Sequence, residues 1–332
     1  MKEIMALSKP MLGRIFALLF CLLQTLIFFL AKHLKDEHKS HFVITSGVVM
    51  FLMSTASMAQ NPNCDPFEAI RSVKNIKLLI LIRSVFAGFT MFVNFGVTNL
   101  LSLSTIAAIT QIRPAVTVLL AFLILKETLT FAQILLIFAV LVGSILVIQP
   151  PPISSFVGEV KVTEFTYFSP SREPLMYLLS CFLLMSAVVA SSVNSCIVRK
   201  IGSYVNSQFL VNNYAASTAV TGLLYALIAY FNGSYAFSFC NFQSNVIIIV
   251  TAFLSYIVNY LMTLSLTFEK PAIISGILTS QVAFSVIFNY IFIKDEINTL
   301  AFLGIIIICS GVILLANYEA ISGKFCRQVQ CK

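Results

Sequence analysis

Apolar runs of about 20 residues recur along the whole chain, and they constrain its fold more than any other feature. An α-helix rises ~1.5 Å per residue, so a run of this length spans the ~30 Å hydrocarbon core of a bilayer. The runs lack the alternation of apolar and polar residues that marks membrane β-barrels. With 59% hydrophobic and only 10% charged residues, the sequence predicts an all-α polytopic membrane protein.

We predict ten membrane helices in two halves. The helices cover about residues 11–31, 42–60, 76–101, 105–127, 131–148, 175–198, 206–231, 245–267, 271–294 and 300–317. Residues 1–149 form a first repeat, 150–174 an extramembrane linker, 175–317 a second repeat and 318–332 a basic cytosolic tail. Three successive prolines (Pro150 to Pro152) end the fifth helix and mark the linker.

An internal repeat supports this division. Ile106–Ile148 aligns without a gap on Ile274–Ala316, which pairs Gly143 with Gly311 and places Lys126-Glu127 on Lys294-Asp295. Five helices per half is an odd number, so the second half crosses the membrane in the opposite sense. The expected architecture is a 5+5 inverted repeat.

The distribution of lysine and arginine predicts the orientation. Most of them fall on one side when the N- and C-termini are placed in the cytosol, as the positive-inside rule expects. The only Asn-X-Ser/Thr sequon, at Asn232, then lies on the outer side and is a candidate glycosylation site. The membrane is expected to be the plasma membrane or that of the Golgi or endoplasmic reticulum.

Arg113 is a charge placed halfway along the fourth apolar run, next to Pro114 and two residues after Gln111. Such a charge costs at least ~2.5 kcal/mol in a membrane helix. Pro114 has no N–H, so the carbonyl of Thr110 loses its helical partner. These features predict that this part of the helix lines a polar cavity and binds an anion there. The alternative is an arginine paired with another helix for assembly.

Further candidates for substrate binding follow from the repeat and from polar residues within the runs. The alignment places Arg113 on Gln281, and equivalent mid-helix positions of an inverted repeat meet near the bilayer centre. Arg83 and Asn94 lie in the third helix and Asn259 in the eighth. For Arg83 the alternative is a side chain that reaches the nearby interface.

Lys126, Glu127, Lys294 and Asp295 are candidate gates, because the repeat places the two pairs on opposite faces. They serve equally well as helix caps and as topology markers.

Neither a metal site nor a cofactor is predicted. His33 and His41 in the first loop would share a helical face with Glu37, but the interleaved lysines repel cations. The chain is also not expected to be an enzyme, because no histidine or acid pair lies inside a predicted helix.

With its Lys126-Glu127 pair and the repeat of that pair at Lys294-Asp295, the chain resembles the drug/metabolite transporter superfamily, specifically paired EamA-type domains. Four further stretches are Ile82–Phe86, Ser104–Glu127, Arg199–Gly202 and Glu269–Ala272. They look most similar to solute carrier family 35, subfamily G. The resemblance implies ten helices, alternating access, a homodimer through helices 5 and 10, and cargo such as nucleotide sugars or organic anions. Arg83 matches a basic position of that subfamily. Arg113 departs from its relatives, which have a small or neutral residue before the proline.

The sequence therefore predicts a secondary-active carrier of a small anionic metabolite, whose partners are that substrate and the lipid bilayer, not nucleic acid. The alternatives are a cation or metal carrier, an intramembrane transferase and a non-transporting scaffold.

Overall fold

The computed structural model describes residues 9–32, 39–60, 76–97, 101, 106, 109–127, 129–148, 174–202, 204–231, 242–293 and 299–330. These residues are nearly all helical. The helices are α1 (Lys9–Lys32), α2 (Lys39–Ala59), α3 (Ile76–Val97), α4 (Arg113–Leu120), α5 (Phe131–Ile148), α6 (Pro174–Ile201), α7 (Ser207–Phe231), α8 (Phe242–Phe268), α9 (Pro271–Leu278), α10 (Ser280–Phe288) and α11 (Thr299–Gln330).

Six helical segments in the described ranges are long and apolar enough to cross a membrane. They lie in α1, α2, α3, α6, α8 and the α9–α10 run, and shorter apolar segments lie in α4, α5 and α11. Leucine, isoleucine and phenylalanine side chains cover much of the outer surface, as expected where helices face lipid. The predicted helical class is confirmed. Ten spans in a 5+5 inverted repeat remain a prediction.

Two helical runs are interrupted at aligned positions. A turn at Gln111 and Ile112 precedes α4, and a turn at Thr279 separates α9 from α10. Each run then ends in a π-helical segment, Ala121–Leu125 after α4 and Asn289–Ile293 after α10. Such π segments often mark functional sites in helices. Gln111 and Thr279 are matched by the sequence alignment, as are the two π segments.

The most extensive helix contacts join the first half of the chain (α1–α5) to the second (α6–α11). The main pairs are α1 with α8, α2 with α7, α3 with α6 and α5 with α11. In the predicted repeat, α1 corresponds to α6, α2 to α7, α3 to α8 and α5 to α11. When each helix is replaced by its counterpart, the pair α1–α8 becomes α6–α3, and the pairs α2–α7 and α5–α11 stay the same. The packing therefore has the two-fold pattern that an inverted repeat would produce.

Glycines allow α5 and α11 to pack closely. A Cβ atom added to Gly143 would lie 3.0 Å from the Gly304 carbonyl oxygen, and one added to Gly311 would meet Val140. Small residues of this kind let membrane helices approach each other through their backbones. This contact forms within one chain, and a homodimer through the same helices remains a prediction.

The last helix is longer than predicted. The apolar run ends near Asn317, but the backbone stays helical to Gln330. Hydropathy marks where a helix leaves the lipid and carries no signal for where its hydrogen bonds end. Residues 318–330 contain no proline to stop the helix, so part of the predicted tail is a helical extension.

Candidate functional site

Arg113 begins α4, directly after the turn at Gln111 and Ile112. Pro114 occupies the first turn of this helix, where a missing N–H does not interrupt the helical hydrogen bonds. The Arg113 Nη2 atom donates to Ser195 Oγ on α6 over 3.3 Å, and no described residue accepts a hydrogen bond from its buried Nε atom. Part of the side chain stays accessible. The guanidinium is therefore only weakly held and can donate hydrogen bonds to a further partner.

Hydroxyl groups fix α4 against α6 beside Arg113. Thr117 Oγ1 donates to the Arg113 carbonyl oxygen over 2.8 Å and lies 3.1 Å from Ser192 Oγ. Thr117 and Ser192 are fully buried. Together with Ser195 they form a row of small polar side chains next to the guanidinium.

Arg83 lies in α3 and is only 3% exposed. Its Nη1 atom donates to the Leu210 carbonyl oxygen of α7, and its Nε atom is buried without a hydrogen-bond partner among the described residues. The side chain is thus enclosed between helices, which does not favour the predicted alternative in which Arg83 extends to the near interface.

Tyr214 in α7 lies within electrostatic range of both guanidinium groups. It is half-buried, and it follows by one turn Leu210, whose carbonyl oxygen accepts the hydrogen bond from Arg83. Arg83 from α3 and Tyr214 from α7 are thus neighbours, and Arg113 from α4 is the second charge that acts on this tyrosine. We call these three residues the arginine–tyrosine cluster.

The charge balance of this cluster differs from that of the other arginines in the described bundle. Arg14 pairs with Glu269 over 2.5 Å, and both side chains are almost fully buried. Arg199 pairs with Glu127 over 3.2 Å and also donates to the Thr267 carbonyl oxygen. Among the described residues, neither Arg83 nor Arg113 has a carboxylate partner.

The remaining predicted binding residues have no hydrogen bond to the described members of the cluster. Gln111 is in the turn before α4, Gln281 follows the break between α9 and α10, and Asn94 is near the end of α3. The Asn259 side chain donates to the Ser255 carbonyl oxygen over 2.8 Å and contacts Met50 of α2. Within the described residues, none of the four is bonded to Arg83 or Arg113. Their role in binding remains a prediction.

Of the candidate gates, only Lys126 and Glu127 are described. Lys126 is exposed and has a left-handed backbone (φ 54°), which ends the π-helical segment after α4. Glu127 pairs with Arg199 instead of facing a cavity alone. Lys294, Asp295 and the sequon at Asn232 lie outside the described residues.

Within the described ranges, no group of three His, Cys, Asp or Glu side chains could hold a metal ion. Of the three histidines only His41 is described, while His33, Glu37 and His38 lie outside those ranges.

Sequence reasoning missed Tyr214, Ser192 and Ser195 as members of the site. The signal for Tyr214 was present, because it closes an Asn-Asn-Tyr group inside an apolar helix. The serines gave no such signal, since small hydroxyl residues are common throughout membrane helices.

Comparison with known proteins gives the family context. Residues 11–149 match the model of the EamA-like transporter family. No curated protein matches the sequence. A solved structure described as "Crystal structure of protein" shares the fold, with a TM-score of 0.69 over 93% of this chain and 98% of that chain at 14% identity. The protein is thus an integral multi-pass membrane protein, and the similarity of residues 11–149 to EamA-like transporters supports the drug/metabolite transporter superfamily and suggests a carrier of small molecules.

Proposed function

We propose that this protein is a secondary-active transporter of a small organic anion that works by alternating access. The observation that supports this most directly is the pair of arginines without carboxylate partners in the arginine–tyrosine cluster. Arg14 and Arg199, the other arginines whose side chains the structure describes, are both neutralised by a carboxylate. A carboxylate or phosphate group of the substrate supplies the missing negative charge.

The energies involved favour such a ligand. An enclosed charge without a partner costs several kcal/mol, even after the protein and water relax around it. An opposite charge at ~4 Å recovers roughly 4 kcal/mol at an effective dielectric constant of ~20. Hydrogen bonds between ionised groups are also about twice as strong as neutral ones. Substrate binding would therefore stabilise the site that the arginines leave unbalanced.

Alternating access is the mechanism that the architecture supports. The two interrupted runs and the exchange pattern of helix pairs fit two inverted halves of five helices, with the binding site between them. In this arrangement the substrate is reached from one side of the membrane at a time. Similarity to solute carrier family 35, subfamily G, at Ile82–Phe86 and Ser104–Glu127 agrees with this proposal.

The test is ligand-dependent thermal stabilisation of the purified protein. The probes are succinate, citrate, inorganic phosphate, UDP-glucose and divalent metal ions. A ligand at 100 times its dissociation constant stabilises by ~2.7 kcal/mol, which a melting curve resolves easily. We expect at least one anion to stabilise the wild type and to have no effect on Arg113→Gln.

Two control variants isolate the charge of Arg113. Lys200→Gln removes an exposed cation at the end of α6 and should respond to anions as the wild type does. Arg113→Lys keeps the charge and should retain part of the response. Stabilisation by metal ions alone would favour the cation carrier, and an anion response that survives in Arg113→Gln would overturn the assignment of the site.

A further inference from the structure

One face of α7 is hydrogen-bonded to α3 at successive helical turns. Leu210, Asn213, Tyr214 and Ser217 share this face, because helical residues three or four apart are neighbours. The Leu210 carbonyl accepts a hydrogen bond from Arg83, and the Asn213 side-chain oxygen accepts one from Ser84 Oγ. Ser217 Oγ donates back to the Ser84 carbonyl. Tyr214 lies on the same face one turn after Leu210, and among the described residues no hydrogen bond joins it to α3. The charges of Arg83 and Arg113 both act on its hydroxyl.

Arg83 and Arg113 are placed differently with respect to a ligand. Arg83 is 3% exposed and is bonded to the α7 backbone, so it presents almost no surface to a bound molecule. Arg113 and Tyr214 both keep accessible surface. Arg83 is therefore placed to fix the turn of α7 that carries Tyr214, while Arg113 and Tyr214 are placed to contact the ligand.

The chemistry of the hydroxyl suits an anion. Guanidinium groups only donate hydrogen bonds, whereas a tyrosine hydroxyl can both donate and accept. Thr218 Oγ1, one turn further along, donates to the Tyr214 carbonyl oxygen over 3.0 Å. An ionised carboxylate or phosphate oxygen is a stronger acceptor than a neutral group. A bound anion would draw the tyrosine proton toward itself.

We infer that Tyr214 is a substrate-contacting, specificity-determining residue of this transporter, and that Arg83 is a positioning residue that acts through it. This inference rests on the proposed anion transport and adds to it. A site built to donate a hydrogen bond discriminates strongly against ligands that lack the matching acceptor. Tyr214 thus selects anions that place a second oxygen atom within reach of its hydroxyl when a first oxygen atom is bound by Arg113.

The primary test compares Tyr214→Phe with Tyr230→Phe in the same thermal-stabilisation assay, with succinate, citrate, inorganic phosphate and UDP-glucose as probes. Both variants keep the ring and lose one hydroxyl of α7. Tyr230 is 65% exposed on the outer surface and serves as the matched control. We expect Tyr214→Phe to raise the dissociation constant of the stabilising anion about tenfold or more, and Tyr230→Phe to leave it unchanged.

A double-mutant cycle tests the role of Arg83. Arg83→Lys keeps the charge but loses the fixed geometry of the guanidinium. If Arg83 acts through Tyr214, Arg83→Lys weakens anion binding in the wild-type background and has little further effect in the Tyr214→Phe background. Equal losses in both backgrounds would mean that Arg83 contacts the anion directly, which overturns its positioning role.

The outcomes separate this inference from the proposed function. Unchanged anion affinity in Tyr214→Phe, together with a lost response in Arg113→Gln, overturns the role of Tyr214 and leaves anion transport standing. A wild type that none of the four anions stabilises overturns both. A changed preference among the four anions in Tyr214→Phe, with the control unchanged, supports the specificity role directly.

Discussion

At the scale of single residues, the four arginines of the bundle with described side chains form two groups, according to whether a carboxylate or a neutral oxygen atom contacts the guanidinium. Arg14 and Arg199 have carboxylate partners, and these pairs join distant parts of the chain. Arg83 and Arg113 instead contact neutral oxygen atoms from α7 and α6. The first two therefore contribute to the folded bundle, and the second two leave positive charge for a ligand.

The Arg14–Glu269 pair is expected to be structural. Glu269→Gln leaves a buried guanidinium without its counter-charge, and we expect a loss of about 3–5 kcal/mol of stability. The measurement is thermal unfolding in detergent without ligand. The double variant Arg14→Met/Glu269→Leu should lose much less, because no uncompensated charge remains. A single variant as stable as the wild type would show that this pair does not hold the fold.

Part of the site could be predicted from single residues. Arg83 and Arg113 stand out because arginine is rare inside apolar runs. Their partners could not be predicted, since Leu210 and Ser195 are far away in the sequence and belong to the other half of the chain. Pairing across that distance depends on tertiary packing, for which a single sequence carries no periodic signal.

At the scale of helices, apolar run length locates the elements well, and it fails at their interruptions and ends. The turn at Thr279 contains no proline, and the small residues before it indicate close packing instead. The break in helical hydrogen bonding expected at Pro114 coincides with a new helix start, because the turn at Gln111 and Ile112 comes first. Backbone geometry of this kind depends on neighbouring helices as much as on local sequence.

The glycine contact between α5 and α11 gives a test at this scale. A Cβ atom at Gly304 would lie 2.6 Å from the Gly143 carbonyl oxygen, so Gly304→Ala must push two backbones apart. We expect a loss of about 1–3 kcal/mol, measured as a lower melting temperature. Gly96→Ala in α3 is the control, because its Cβ would meet nothing within 4 Å. That control should be neutral or up to ~1 kcal/mol more stable. Equal effects of the two changes would contradict the packing role.

At the scale of the whole molecule, four chain segments meet at one end of the bundle. The start of α1 contacts the α8–α9 connection through the pair Arg14–Glu269. The end of α6 contacts the chain two residues after the first π segment through the pair Arg199–Glu127. Lysine and arginine residues are frequent at this end. The positive-inside rule therefore predicts that it faces the cytosol.

The topology gives a further prediction. Epitope tags at the N- and C-termini should both be hidden from antibody in intact cells and become accessible after permeabilisation, because an even number of spans returns the chain to the same side. A tag replacing part of residues 154–168, in the predicted outer linker, should be accessible without permeabilisation if the protein lies in the plasma membrane. Termini on opposite sides would rule out ten spans.

The interlocked pairing of helices also has a consequence for biosynthesis. The main partners of α1, α2, α3 and α5 all belong to the second half, so they have not yet been translated when the first half enters the bilayer. The early helices, including the one that carries Arg83, must wait as loosely associated segments until the ribosome has made α6 to α11. Residues 1–149 synthesised alone would remain an open set of helices and a target for membrane quality control. Supplying the second half as a separate polypeptide could complete the bundle.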